Sequence, residues 1–127
     1  MKALVLVAHG SRREASNDEI RELAQSMGKC DSEFDQIYPG FLELAEPLIP
    51  EAIRAAASDG AKEIIVLPYF LSAGRHVVKD IPAEVDSVRT ELSDVDIRLA
   101  PYFGCANEIP QMLMAQATGT NKKEREG

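Results

Sequence analysis

At 127 residues and 45% hydrophobic, with few aromatics, the chain is long enough for one domain with a modest core and too short for two. Fourteen Lys and Arg against 21 Asp and Glu leave a net charge of −7, which argues against a nucleic-acid groove or an anionic membrane surface and points to a small partner. Cys30 and Cys105 lie far apart with no signal peptide ahead of them, and no apolar run nears the roughly 20 residues that span a bilayer, so a cytoplasmic protein with reduced thiols is expected.

Ala3 to Ala8 is a continuous apolar run with β-branched content, ended by His9-Gly10-Ser11, as in a strand buried on both faces. Ile20, Leu23, Ala24 and Met27 then recur at helical spacing before Gly28, predicting a first helix over 14–27. Residues 33–38 alternate weakly and meet Pro39-Gly40, read as a turn closing an edge strand. Pro47 suits a helical first turn, which predicts a second helix over about 47–59. Residues 63–68 form a second strong strand, and 69–78 a glycine-containing loop. A helix over 82–92, a strand over 95–99 and a helix over 108–117 complete the pattern, leaving 118–127 as a polar, disordered tail.

The alternation βαβαβαβα predicts an α/β domain over 1–117: a four-stranded parallel sheet between helical layers. Ligands of such sheets bind outside the carboxyl ends of the strands. Both histidines of the chain, His9 and His76, fall on that edge, one after each strong strand. Each taken alone is as well explained by a hydrogen bond to a turn. Together they suit a divalent cobalt, nickel, iron or zinc ion, because two imidazoles leave coordination positions open.

A carboxylate beside such a pair would complete the metal shell or accept protons, and the candidates are Glu43 and Glu46. Glu46, ahead of a helix, has a ready structural explanation in the helix dipole. Glu43, among Phe41, Leu42 and Leu44, has none as good. Gly10, Ser11 and Gly74 would permit close backbone approach to a ligand. Arg12, Arg13, Arg75 and Lys79 place positive charge at this edge of an acidic protein, suited to a substrate with carboxylates or phosphates, though ordinary surface charge explains any one of them. The cysteines lack metal-ligand spacing and are expected to be structural.

Three stretches carry a family resemblance: Leu6-Val-Ala-His-Gly-Ser-Arg12, Phe41-Leu-Glu-Leu-Ala-Glu-Pro47, and the segment 67–82 that contains Pro-Tyr-Phe-Leu, Gly-Arg-His and Asp-Ile-Pro. With these the chain resembles the class II chelatases of tetrapyrrole biosynthesis, specifically the short sirohydrochlorin cobaltochelatases, from Met1 to about Leu113. The resemblance implies ATP-independent insertion of a divalent ion, usually Co2+ and otherwise Ni2+ or Fe2+, into sirohydrochlorin, with no cofactor beyond that metal substrate. It implies His9 and His76 as metal ligands and catalytic residues, Glu43 as the acid near the metal, and a homodimer that builds the cleft from two copies. Ser11, Arg12, Gly74, Arg75 and Lys79 are then expected to contact the macrocycle and its carboxylates. One departure stands out: many relatives carry a histidine near the last helix, where this chain reads Phe103-Gly-Cys-Ala-Asn107.

Two competing readings remain open at this level. A phosphohistidine-type phosphatase also uses His-Gly after a first strand, but would want an arginine where Ala8 stands. A carrier that binds metal or tetrapyrrole without accelerating insertion would share the same residues.

Overall fold

The computed structural model describes residues 1–119, and no helix among them is long and apolar enough to cross a membrane. Four strands, β1 (Lys2–Ala8), β2 (Gln36–Phe41), β3 (Glu63–Pro68) and β4 (Asp96–Leu99), form one parallel sheet in the order β2-β1-β3-β4. Ala3 to Ala8 are all buried, as expected of a strand with neighbours on both edges and helices on both faces.

Alternate side chains of β1 feed two cores. Ala3, Val5 and Val7 pack with α2 (Ile49–Ser58) and α3 (Ile81–Arg89) through Ile49, Ile53, Ile81 and Val85. Leu4 and Leu6 face α1 (Glu14–Gly28), meeting Ala24, Ile20, Leu23 and Met27. The expected three layers are therefore present. The fourth helix, α4 (Ile109–Thr118), buries none of its residues, and Met112, Leu113 and Met114 stay exposed.

Several boundaries differ from the sequence expectation. Pro39 and Gly40 do not end β2 but lie inside it. An edge strand tolerates the missing proline donor. A side chain at Gly40 would crowd Val5 and Ala52, so glycine there lets α2 settle onto the sheet. Helix α2 starts at Ile49, two residues after Pro47, and Pro50 occupies its first turn. The carbonyl of Pro47 instead accepts the Phe41 N–H at 2.8 Å, tying the 42–48 segment back to β2. Glu51, not Glu46, serves the helix start, its carboxylate accepting the Leu48 N–H at 3.1 Å.

The loop expected over 69–78 ends early, because a π-helical turn over His76–Asp80 runs directly into α3. Its defining bond is from the Ile81 N–H to the His76 carbonyl, one residue longer than an α-helical bond. At the other end α4 reaches Thr118, with Gly119 in the left-handed conformation behind it. The rest of the expected tail, 120–127, lies outside the described residues. Cys30 and Cys105 are exposed, not structural core, and each thiol meets a nearby carbonyl, Ser26 and Tyr102 respectively.

Candidate metal centre

The strand order places the topological switch between β1 and β3: the chain leaves β1 toward β2 on one side and returns to add β3 on the other. The two segments that emerge there carry His9 and His76. Their rings lie 4.7 Å apart between centroids, tilted by 53°. Both side chains are about two-fifths exposed, His9 at 40% and His76 at 42%, so they are open to a ligand rather than packed away.

His9 is positioned by two backbone devices and one side chain. Gly10 has φ +95°, and any side chain on it would strike the Glu43 carbonyl, so this glycine lets the two chain segments approach closely. The Leu42 and Glu43 N–H groups donate to the carbonyls of Ala8 and His9 at 2.9 and 3.0 Å, extending the β1–β2 ladder into the loops. Behind them Asn17, the one buried polar residue among those described, grips Ser11 with both ends of its amide. Its Oδ1 accepts the Ser11 N–H at 2.9 Å and its Nδ2 donates to the Ser11 carbonyl at 2.8 Å.

The His9 ring faces the Gly10 carbonyl with Nδ1 at 2.9 Å. A carbonyl only accepts, so Nδ1 carries a hydrogen in this geometry and Nε2 is the nitrogen left for other chemistry. Nε2 lies 2.9 Å from Oε2 of Glu43, which is half exposed. His76 Nδ1 lies 2.8 Å from Oδ2 of Asp80, which likewise turns Nε2 outward. An open cleft of about 250 Å³ between the segment after β2 and the π-turn with the start of α3 is lined by Leu42, Glu43, His76, Asp80, Ala83 and Glu84. Among the described residues no group of three or more His, Cys, Asp and Glu side chains is placed to hold a metal ion. The arrangement is two neighbouring imidazoles, each with a carboxylate on it, Glu43 on His9 and Asp80 on His76.

The remaining expected residues divide. The Ser11 hydroxyl accepts the Arg13 N–H at 3.0 Å and so steadies the start of α1. Arg12, Arg75 and Lys79 are exposed, and among the described residues their side chains form no hydrogen bond or ion pair. Arg13 instead reaches Ser16, and Glu46 contributes its backbone carbonyl to Arg21 at 2.9 Å. A side chain on Gly74 would meet nothing within 4 Å, so nothing in the chain itself demands glycine there. The Phe103–Cys105 turn braces the segment after β3: Gly104 donates to the Phe70 carbonyl at 2.9 Å and has no room for a side chain against Leu71.

Sequence reasoning missed Asn17 and Asp80. Asn17 is invisible because its partner is backbone six residues away. Asp80 did carry a signal, its i, i+4 spacing from His76 and its place in the Asp-Ile-Pro stretch, but it lies just past the segment 69–78 read as a loop and was given no role.

The profile of the CbiX family matches residues 3–120. The chain is 45% identical over 82 residues to a sirohydrochlorin cobaltochelatase of Methanocaldococcus jannaschii, covering 65% of this chain and 57% of that protein. It is 34% identical over 113 residues to a sirohydrochlorin cobaltochelatase of Sulfurisphaera tokodaii, covering 89% and 88%. It is 35% identical to a chloroplastic sirohydrochlorin ferrochelatase of Arabidopsis thaliana over 82% of this chain and 46% of that one. Among solved structures, the sirohydrochlorin chelatase SirB of Bacillus subtilis subspecies spizizenii, in complex with cobalt, superposes with a TM-score of 0.82 at 25% identity, over 93% of this chain and 50% of that one. The chain thus spans little more than half of some relatives and most of another, and over nearly its whole length it belongs to the CbiX family.

Proposed function

We propose that the protein inserts a divalent metal ion, cobalt foremost, into sirohydrochlorin without nucleotide hydrolysis and without any cofactor beyond the metal substrate. The observation that carries this reading is the pairing of His9 and His76 at the switch point, ring centroids 4.7 Å apart, with Nδ1 of each held by an oxygen and the Glu43 carboxylate 2.9 Å from His9 Nε2. The relatives supply the macrocycle and the metal by name, cobalt in the archaeal pair and iron in the plant protein.

In this reading the ion is held by the two Nε2 atoms, with open positions that macrocycle nitrogens fill stepwise. Metallation releases two protons from the pyrrole nitrogens, and Glu43, half exposed beside His9, would take them one at a time and pass each to solvent water. The 2.9 Å between His9 Nε2 and the Glu43 carboxylate is also close to the roughly 3 Å that separates two neighbouring donors each about 2.1 Å from one ion. Arg12, Arg75 and Lys79 are available for the peripheral carboxylates of the substrate, with Ser11 and Gly74 beside the macrocycle.

One wall of a cleft does not enclose a large flat ring, and the reading includes a homodimer. The chain corresponds to 50% of the cobalt-bound Bacillus protein, so a second copy would stand where that protein carries its other half. The surface for it is the exposed face of α4, with Leu71 at 75% and Leu113 at 64% exposure beside an apolar groove of about 410 Å³. The cytoplasm is the proposed setting, where two exposed thiols stay reduced.

The test mixes purified protein with sirohydrochlorin and, separately, cobalt, nickel or ferrous ion, and follows the visible spectrum against enzyme-free controls. Accelerated metallation, fastest with cobalt, is the expected result. Rates equal to the controls with all three ions would remove the enzyme reading and leave a binding module.

A further inference from the structure

We propose that Asp80 is a positioning residue for metal capture: its carboxylate accepts the Nδ1 hydrogen of His76 and thereby aims Nε2 of that ring at the ion. The proposal rests on the chelatase reading of the His9–His76 pair.

The two imidazoles are presented differently. His9 is oriented by a backbone carbonyl, Gly10, in a loop clamped by Asn17 and by the neighbouring ladder bonds. His76 is the first residue of the π-helical turn, none of whose residues is buried, and its Nδ1 is held by one side-chain atom, Asp80 Oδ2, at 2.8 Å. Both partners are about two-fifths exposed, so packing alone does not hold the ring. An imidazole with two rotatable bonds and no such partner would present either nitrogen, or neither, to an incoming ion.

The π-helical turn matters to this arrangement. It lets the helix begin at His76 while the Ile81 N–H closes on the His76 carbonyl, and it puts His76 and Asp80 on the same side, four residues apart. Asp80 also lines the cleft that holds His76 and Glu43, with Glu84 the further carboxylate there. Its oxygen on His76 is thus within the site and not a remote surface contact.

The experiment uses the full chain with Co2+ alone as probe, titrated anaerobically and read by the visible absorption of the bound ion, beside steady-state insertion into sirohydrochlorin. Asp80→Ala removes the acceptor, and Asp80→Asn keeps an acceptor oxygen without the charge. The expected order of cobalt affinity is wild type, then Asp80→Asn, then Asp80→Ala, with the alanine variant weaker by about 10- to 100-fold. The KM for cobalt rises in that order while the KM for sirohydrochlorin stays unchanged. Circular dichroism checks the fold; if Asp80→Ala does not fold, Asp80→Asn alone decides. Wild-type cobalt affinity and cobalt KM in the folded variants would overturn the proposal. Failure of the wild-type protein to accelerate insertion would instead overturn the chelatase reading, and the cobalt titration would still report on Asp80.

Discussion

Glu43 is joined to His9 twice, once through its backbone N–H on the His9 carbonyl at 3.0 Å and once through its carboxylate 2.9 Å from His9 Nε2. The first bond belongs to the loop extension of the β1–β2 ladder, so the acid is carried to the histidine by strand pairing and does not depend on a flexible side chain finding it. Leu44, with φ 66°, turns the chain away immediately afterwards, a conformation non-glycine residues adopt only under local demand.

This arrangement separates the roles of the two residues experimentally. His9→Ala and His76→Ala should each bring insertion down to the enzyme-free rate, with circular dichroism unchanged. Glu43→Gln keeps the backbone bond and the bulk, and should lower kcat by about 10²- to 10⁴-fold as expected for loss of a proton acceptor. Full activity in either histidine variant would sink the ligand assignment.

Asn17 should matter to both stability and activity. Replacing it with alanine leaves the half-buried Ser11 N–H and carbonyl without these partners, at a cost of up to about 1–3 kcal/mol where water does not reach them. Thermal melting should record the loss, and insertion should slow because the loop that carries His9 is no longer clamped. An unchanged melting temperature would show that water replaces the amide at no cost.

Three surface cations, unpaired among the described residues, predict a salt response. Arg12, Arg75 and Lys79 have no carboxylate partners among the described residues, so their field is available to an anionic macrocycle. The KM for sirohydrochlorin should rise with ionic strength in the wild type and lose most of that dependence in a variant with all three neutralised. A salt response retained in full by that variant would assign these charges to plain surface.

The exposed α4 face predicts the oligomeric state. Leu113→Glu places a charge in the middle of the proposed contact, where burial would be costly, and should shift the protein from dimer to monomer in light scattering while leaving the domain folded. A dimer that survives the substitution moves the interface elsewhere.

Tyr38 gives a prediction at alkaline pH. Burial, with a hydrogen bond to Asp59 at 2.6 Å, pushes its hydroxyl up from 10.0 to about 12. The fold therefore favours the protonated phenol. Its contribution is fully present below the ordinary value of 10.0 and is lost as pH rises toward about 12. Thermal melts across this window should fall more steeply for the wild type than for Tyr38→Phe, and parallel curves would contradict the assignment.

The sequence by itself determined the layers and the two strands that carry the site, because Ala3–Ala8 and residues 63–68 are apolar enough to be strands only in a covered parallel sheet. It also placed His9 and His76 at one edge, since His9 directly follows the first of these strands and His76 lies in the connection that leaves the second. Tertiary structure alone decided the rest. Pro39-Gly40 read as a turn because local preference ignores that an edge strand needs only one set of ladder bonds. The helix at His76 was hidden by Gly74 and by a π-turn, whose stabilising bond has no periodic signature over five residues. The partners that orient the imidazoles, the Gly10 carbonyl and Asp80, and the Asn17 clamp behind them, depend on where loops meet in space. Hydrogen bonds of that kind are chosen by distance and angle in the folded chain, and sequence spacing carries little trace of them.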